Sequence, residues 1–351
     1  MPSRFTAIVI ALGAAALFGA AMPVAKILLG GVPPFMVAGL FYLGSGIGLG
    51  GVILLRSGAN HSNGLRAGEL PWLAEAIVAG GVAGPALLML GLTSTPASTS
   101  ALLLNLEGVL TAAIAWLVFR ENVDRQVFLG MAAIVAGGVV LAWQPDATSG
   151  SGLPGGALLI VLACACWAID NNLTRKISAA DATLIACAKG LVAGVTNLCI
   201  AFALGARLPA PAPLFAAMAT GFAGYGVSLV MFVIALRHLG TARTGAYLSV
   251  APVFGVAISL AIWPHAPGAL FWIAAVLMAF GVWLHVRERH EHEHTHEPLA
   301  HTHRHTHDAH HRHEHDLPYD GDEPHTHRHA HLPITHTHAH FPDVHHRHAH
   351  G

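Results

Sequence analysis

Residues 7–29 read AIVIALGAAALFGAAMPVAKILL, an unbroken apolar run with one charge, at Lys26. The run has the length that an α-helix needs to cross the hydrocarbon of a bilayer, about 20 residues. It is too long for the apolar region of a typical signal peptide, and it contains Pro23 as well as the lysine. We therefore expect residues 6–29 to form a first membrane-spanning helix.

Nine further apolar segments of similar length follow along the chain. They fall at residues 34–55, 71–94, 97–118, 127–144, 155–174, 183–204, 212–236, 242–263 and 268–286. Only 11% of the 351 residues are charged, against about 25% in soluble domains. Because backbone groups in lipid must be hydrogen-bonded within their own segment, each run is expected to be a helix. The prediction is an all-α membrane protein with ten transmembrane helices.

The Lys and Arg residues that flank these segments indicate the orientation, since cytoplasmic loops are enriched in them. With a cytoplasmic N-terminus, the opposite side carries Arg207 alone. The cytoplasmic side carries Arg4, Arg56, Arg66, Arg120, Arg125, Arg175, Lys176, Arg237, Arg243, Arg287 and Arg289. An even number of helices places both termini in the cytoplasm, in a multi-pass protein of the cell (inner) membrane.

Two stretches recur at nearly constant spacing, which indicates an internal repeat. Residues 18–26 (FGAAMPVAK) resemble residues 167–175 (WAIDNNLTR), and residues 95–110 resemble residues 241–254. Each half holds five predicted helices, and an odd number inverts the second half relative to the first. Inverted repeats with a substrate site near the membrane midplane are a recurrent plan of secondary transporters.

The predicted organisation has two repeats, a linker and a tail. The first five-helix repeat covers residues 1–145, the linker residues 146–154, the second repeat residues 155–289, and the tail residues 290–351. The last boundary is a change of composition, because the tail holds 23 of the 27 histidines and 10 of the 19 acidic residues.

Several motifs resemble the EamA-type modules of the drug/metabolite transporter superfamily. They are Phe18-Gly19 with Lys26, residues 97–116 leading into residues 119–122 (FREN), Trp167-Ala168, and residues 242–252. The resemblance covers about residues 6–286 and implies a transporter with two modules of five helices. Glu107 stands where the family usually has a proline, which the second half keeps at Pro252. Since the superfamily moves many metabolites, the solute stays open.

Polar residues within the apolar segments are the candidates for a transport site, because inserting a charge there costs about 2.5–3.5 kcal/mol. Glu107 could exchange protons or bind a cationic group. Lys189 could bind a carboxylate of the substrate, or form an ion pair with Glu107 that only fixes helix packing. The remaining candidates are Asp170, Asn171, Asn105, Tyr247 and Lys26, of which Lys26 could instead extend to the membrane interface.

The sequence contains no phosphate-binding loop, zincin motif or nucleophile–base set. All four cysteines fall in apolar segments, which favours buried thiols over redox chemistry. We therefore expect neither an enzyme nor a nucleic-acid partner. The expected partners are the lipid bilayer and a small-molecule substrate, and a homodimer is left open.

The tail repeats the pattern His-x-His many times. Residues two apart in an extended chain project to one side, where neighbouring imidazoles can bind a transition-metal ion such as zinc, nickel, cobalt or copper. The candidate ligands are His290, His292, His294, His296, His301, His303, His305, His307, His325, His327, His329, His336, His338 and His340. No other cofactor is required, and the low apolar content predicts a tail that is disordered without metal.

Together these patterns predict a secondary transporter, taken to be an exporter of a small metabolite, with a cytoplasmic metal-binding tail. One alternative is a transporter of divalent nickel, cobalt or zinc, although the segments hold no deeply placed histidine and no carboxylate cluster. Another is a membrane-anchored metal storage or delivery protein, for which ten helices are more than an anchor needs. For the tail itself, a solvated segment without function and a pH sensor stay open.

Overall fold

The computed structural model of the chain describes residues 4–55, 67–118, 125–142, 155–177, 181–239, 247, 250–264 and 267–286, and four tail stretches, 291–295, 299–305, 325–331 and 335–339. The chain divides into two compact units, Met1–Arg287 and Glu288–Gly351. In their described parts, the first unit is helical and the second consists of short strands.

The described helices of the first half begin and end close to the predicted segments. They are α1 (Arg4–Leu28), α2 (Pro34–Leu55), α3 (Leu70–Ala76), α4 (Gly84–Ser94), α5 (Ala97–Leu103), α6 (Asn105–Leu117) and α7 (Arg125–Ala142). A π-helical segment, π1 (Ile77–Ala83), joins α3 to α4 without a break. The short break expected near residue 95 is present, because Thr95 is extended and Pro96 caps α5.

The second half repeats this arrangement. Its described helices are α8 (Gly155–Lys176), α9 (Ala182–Ala203), α10 (Pro211–Gly221), α11 (Ser228–Leu239), α12 (Ala251–Ile262) and α13 (Ala269–Val286). A second π-helical segment, π2 (Phe222–Val227), joins α10 to α11. Local chemistry sets the ends of α9: the Asp181 side chain accepts a hydrogen bond from the Thr183 N–H, and Gly205 adopts a φ of 82° after the last turn.

Seven helices in the described part of the chain are long and apolar enough to cross a membrane. They cover Phe5–Leu28, Pro34–Leu55, Ala67–Ser94, Ala97–Ile114, Gly155–Thr174, Thr183–Ala203 and Pro211–Phe232. Three shorter apolar helices cover Phe128–Leu141, Ala251–Ile262 and Ala269–Leu284. The expected all-α membrane protein is therefore confirmed, whereas a count of ten spanning helices stays a prediction.

Helices in corresponding places of the two halves pack in corresponding ways. α2 lies along α9, and α7 lies along α13. α1 contacts α11 and α12 of the second half, while α8 contacts α4 and α6 of the first. The two π-helical segments also correspond, since each lies in the third long helix of its half. The two halves thus contact each other through helices in matching positions.

Two glycines allow the backbones of α2 and α9 to approach closely. A Cβ atom added at Gly46 would lie 2.5 Å from the backbone nitrogen of Leu191, and one added at Gly190 would lie 2.7 Å from the Cα of Gly46. Helices in lipid associate largely through such close packing, because lipid tails are as apolar as the side chains. Gly46 and Gly190 thus let the backbones of α2 and α9 come into direct contact.

The tail forms four strands in its described stretches, β1 (Glu291–Thr295), β2 (Leu299–His305), β3 (His325–His331) and β4 (Thr335–Ala339). β1 pairs with β4 and β2 pairs with β3, both antiparallel. The His-x-His pattern suits such strands, because it has the two-residue period of a strand and threonine favours extended backbone. A tail that is disordered without metal stays a prediction. His290, His296, His307 and His340 lie outside the described residues.

Replacing Gly190 with alanine should destabilise the helical unit, because the added methyl group would overlap the α2 backbone at Gly46. Overpacking of this kind costs about 1–3 kcal/mol. The temperature of thermal unfolding in detergent should fall for Gly190→Ala. Gly51→Ala is the matched control, since an atom added there meets nothing within 4 Å. Equal unfolding temperatures for the two variants would contradict the close approach of α2 and α9.

Candidate functional site

An ion pair between α8 and α9 joins two of the candidate residues, Asp170 and Lys189. Lys189 Nζ lies 2.5 and 2.6 Å from the two carboxylate oxygens of Asp170. Thr174 Oγ1 donates to the same carboxylate at 2.8 Å and accepts from Lys189 at 3.3 Å. The Asp170 side chain is 8% exposed and that of Lys189 is 16% exposed. The pair is thus largely buried, and a third side chain fixes its geometry.

The structure therefore assigns Lys189 a partner other than the one considered from sequence. A Glu107–Lys189 ion pair was one interpretation of the two charges, and that interpretation is wrong. Asp170 and Thr174 are four residues apart on α8, so they share the helix face that meets α9. The spacing of Asp170 and Thr174 was visible in the sequence, but the helix that they face was not.

Gly80, in π1, lies against the carboxylate of Asp170. A Cβ atom at Gly80 would overlap that carboxylate, so the ion pair requires glycine here. The Gly80 carbonyl accepts two hydrogen bonds, from Trp167 Nε1 at 2.9 Å and from the Tyr42 hydroxyl at 2.9 Å. π-helical segments are frequent at functional sites, because their shifted hydrogen-bond pattern changes which backbone groups side chains can reach.

Glu107 lies beside this group, in the first turn of α6. Asn171 Nδ2 donates to Glu107 Oε1 at 2.9 Å and to Thr111 Oγ1 at 3.3 Å. Asn172 Nδ2 donates to the Thr111 carbonyl at 3.2 Å. Within the described part of the chain Glu107 has no ion-pair partner. The two amides that follow Asp170 therefore join α8 of the second half to α6 of the first.

An aromatic group surrounds Tyr225 in π2. Its ring centroid lies 5.7 Å from that of Phe18, 5.9 Å from that of Phe41 and 5.6 Å from that of Tyr42. Tyr42 also bonds to Gly80 in π1 through its hydroxyl. A single side chain on α2 thus touches both π-helical segments. Tyr42, Gly80 and Tyr225 were not among the sequence candidates, because nothing in a single sequence marks a π-helical segment.

Lys26 contacts the end of a neighbouring helix. Its Nζ donates to the carbonyl of Leu92, and to those of Thr93 at 3.3 Å and Thr95 at 3.0 Å. These carbonyls lie at the C-terminal end of α4, where the helix supplies no partners of its own and attracts cations. The contacts describe a lysine that caps a neighbouring helix, and none of them involves the ion pair or Glu107.

Asn105 and Tyr247 make their contacts elsewhere in the helical unit. Asn105 Nδ2 donates to the Leu102 carbonyl three residues earlier, at 3.0 Å. Tyr247 packs against a small apolar cluster that contains Ala7, Ala11 and Ala235. The structure thus brings together Glu107, Lys189, Asp170 and Asn171 from the predicted set. Among the side chains that it describes, no group of three or more His, Cys, Asp or Glu residues is suited to hold a metal ion.

Comparison with known proteins gives a consistent result. The sequence profile of the EamA-like transporter family matches this chain twice, over residues 5–143 and 154–287. An uncharacterized transporter of Methanothermobacter thermautotrophicus (strain Delta H) is 27% identical over 207 residues, which are 58% of this chain and 60% of that protein. The uncharacterized transporter YyaM of Bacillus subtilis (strain 168) is 25% identical over 210 residues, 56% of this chain and 68% of that protein.

The chain thus matches three fifths of the length of the first of these relatives. A protein of known crystal structure has a similar fold, with a TM-score of 0.58 and 18% sequence identity. The similarity covers 80% of this chain and 96% of that protein. At this level of identity the likeness concerns the fold alone.

Breaking the ion pair from either side should destabilise the helical unit, because each single substitution leaves one buried charge without its partner. Asp170→Asn and Lys189→Met should each cost about 3–5 kcal/mol. The double variant should be more stable than either single one, since neither charge then remains buried. Thermal unfolding of all four proteins in detergent measures the coupling. Additive losses would show that the two side chains do not interact in solution.

Proposed function

The chain belongs to the EamA-like transporter family, and from this premise we propose that it is a membrane transporter that exports a small organic metabolite through a site between its two halves. The observation that carries the proposal is the chain of contacts from Glu107 on α6, through Asn171, to the Asp170–Lys189 pair on α8 and α9. The family matches one profile to each half, and these contacts cross from one half to the other.

Charge at membrane depth supports a site at this place. Ionisable residues are costly within spanning segments and most often mark the paths of substrates, ions or protons. Helix packing alone does not call for Glu107, because the apolar and glycine contacts described above already bring the helices together. Among the described side chains, the neutral amide of Asn171 bonds to the Glu107 carboxylate, and a carboxylate has further acceptor capacity for a cationic group.

The charges at the site favour a particular class of solute. Asp170 and Lys189 neutralise each other, whereas an ionised Glu107 adds one negative charge that no described side chain balances. We infer a solute with an ammonium or other cationic group, which takes the place of a proton at Glu107. The rings of Tyr42 and Tyr225 supply aromatic faces that bind cations and apolar groups alike. A solute carboxylate would instead have to separate Lys189 from Asp170.

The symmetry of the fold supports alternating access as the mechanism. The two profile matches, the paired packing of α2 with α9 and of α7 with α13, and the equivalent places of π1 and π2 all support two structural repeats. We propose that the repeats are inverted, that ten helices cross the cell (inner) membrane and that both termini are cytoplasmic. Rocking of one repeat against the other would then expose the polar site to each side in turn.

The tail, on this proposal, is a cytoplasmic metal-binding segment. It contains 23 histidines in 62 residues, and imidazole is a good ligand for zinc, nickel, cobalt and copper. Its role would be to buffer or sense the ion next to the transporter. A transported metal ion would need ligands among the helices, and the described helices offer no suitable group. Two family modules are also more than a metal-storage protein needs for anchoring.

Glu107→Gln should abolish proton-coupled transport, because the side-chain amide of glutamine, unlike a carboxylate, does not bind and release a proton during transport. The measurement uses proteoliposomes that contain a pH-sensitive dye and are exposed to a panel of small amine metabolites. The wild type should show solute-dependent proton movement and Glu107→Gln should show none. Glu75→Gln is the matched control, since Glu75 is exposed on α3, and it should behave as the wild type does.

Solute-dependent proton movement that is unchanged in Glu107→Gln would remove Glu107 from the coupling mechanism.

A chain that lacks residues 290–351 should keep measurable flux, because the site lies within the helices. Loss of all function in that chain would favour the storage or delivery protein instead.

A further inference from the structure

We propose that the solute is an aromatic monoamine, whose single ammonium group binds at Glu107 and whose ring packs against Tyr225 and its aromatic neighbours. The inference rests on the proposed function, because it names the class of solute for the same site. Three features of the described helices carry it. They are a lysine whose donors are all used, one unbalanced negative charge, and an aromatic group beside both.

The ammonium group of Lys189 has its full set of hydrogen bonds. An ammonium group donates three of them. Lys189 Nζ donates to the two carboxylate oxygens of Asp170, at 2.5 and 2.6 Å, and to Thr174 Oγ1 at 3.3 Å. A solute carboxylate that took over this lysine would leave Asp170 as a buried charge without its partner. The site therefore disfavours amino acids and other solutes that carry a carboxylate.

The negative charge at the site suits one ammonium group. The charge of Asp170 is balanced by Lys189, so an ionised Glu107 leaves a single negative charge among the described side chains of this group. The second ammonium group of a diamine would have no partner here, and a buried charged group without one carries its full desolvation cost. The balance of charge therefore favours a monoamine.

The aromatic group around Tyr225 adjoins this charge. The carboxyl group of Glu107 interacts electrostatically with the hydroxyl groups of Tyr42 and Tyr225. The Tyr42 hydroxyl also donates to the Gly80 carbonyl at 2.9 Å, and Gly80 lies directly against the Asp170 carboxylate. The body of a solute held at Glu107 by its ammonium group therefore meets aromatic rings.

The rings of this group leave room for a further ring. Phe41 is buried, whereas Phe18, Tyr42 and Tyr225 are only half-buried. The planes of Phe18 and Tyr225 are 72° apart, and those of Tyr42 and Tyr225 are 43° apart. Among the described residues, no ring stacks face to face on that of Tyr225. A solute ring can therefore add an offset or edge-to-face contact, which aromatic pairs prefer.

The position of Tyr225 also relates solute binding to movement. Tyr225 belongs to π2 in the second half, and its aromatic neighbours belong to α1 and α2 in the first. Gly224 brings π2 close to α1, because a Cβ atom there would lie 2.9 Å from that of Ala21. A solute ring at Tyr225 thus contacts both halves, as alternating access between them requires.

The first test measures the binding of four probes to the full-length protein in detergent by equilibrium dialysis. Phenethylamine is the aromatic monoamine, and cyclohexylethylamine has the same charge and a ring without aromatic character. Phenylalanine adds a carboxylate, and putrescine has two ammonium groups and no ring. Phenethylamine should bind about two- to tenfold more tightly than cyclohexylethylamine because of its aromatic contacts. Phenylalanine and putrescine should each bind at least about tenfold more weakly than phenethylamine.

The second test substitutes Tyr225. Tyr225→Leu should reduce the preference for phenethylamine over cyclohexylethylamine by at least about twofold, because an aromatic contact is lost. Tyr225→Phe should retain the preference, since the ring stays. Phe280→Leu is the matched control, because Phe280 is an exposed ring on α13 that stacks on Trp283, and it should keep the wild-type preference. Both probes are measured on one preparation, so partial loss of folded protein does not change their ratio.

Tighter binding of phenylalanine or putrescine than of phenethylamine would overturn the proposal, and so would an unchanged preference in Tyr225→Leu. The wild-type order of the four probes decides the matter even if Tyr225→Leu does not fold.

The proton-movement assay in proteoliposomes separates this inference from the proposed function. Proton movement driven by putrescine and not by phenethylamine would reject the aromatic monoamine and leave amine transport intact. Tight binding of phenethylamine in detergent, without proton movement or flux in proteoliposomes, would support the solute site and reject the coupled transport.

Discussion

Two opposite charges held among apolar helices constrain the rest of the helical unit. Asp170 and Lys189 can remain at membrane depth only as partners, because an unpaired charge there is costly. Their pairing requires α8 and α9 to be adjacent, and it requires a residue without a side chain at Gly80. Trp167 and Tyr42 donate hydrogen bonds to the carbonyl of that glycine, so the aromatic group lies directly beside the ion pair.

Two asparagines connect the ion pair of the second half to the first half. Asn171 and Asn172 follow Asp170 directly on α8, and both reach across to α6, where they contact Glu107 and Thr111. A movement of one half relative to the other must therefore break or exchange these hydrogen bonds. Tyr42 makes a second link, since its hydroxyl contacts π1 and its ring contacts π2. A solute that bound between these two links would contact both halves, so its binding would be coupled to the movement of one half relative to the other.

Much of the fold could be predicted from the sequence, and the reasons are local. Apolar runs of membrane-spanning length, with breaks such as Pro96, determine where helices begin and end, and these effects act within a few residues. The partner of Lys189 could not be predicted in the same way, because the sequence led us to consider Glu107, and only the packing of α8 on α9 shows that the partner is Asp170. The π-helical segments and the strand register of the tail likewise depend on pairing between distant residues.

We propose that the polar group around Glu107 and Asn171 is a solute site reached from both sides of the membrane. Thr111, half-buried on α6 and bonded to Asn171, is the best position for a probe. Thr111→Cys, in a chain whose four native cysteines are replaced by alanine, should react in sealed vesicles with an impermeant maleimide from either face. The reaction should slow when the transported amine is present. Reaction from one face only, at a rate that the solute does not change, would show that this polar group is not a solute site open to both sides.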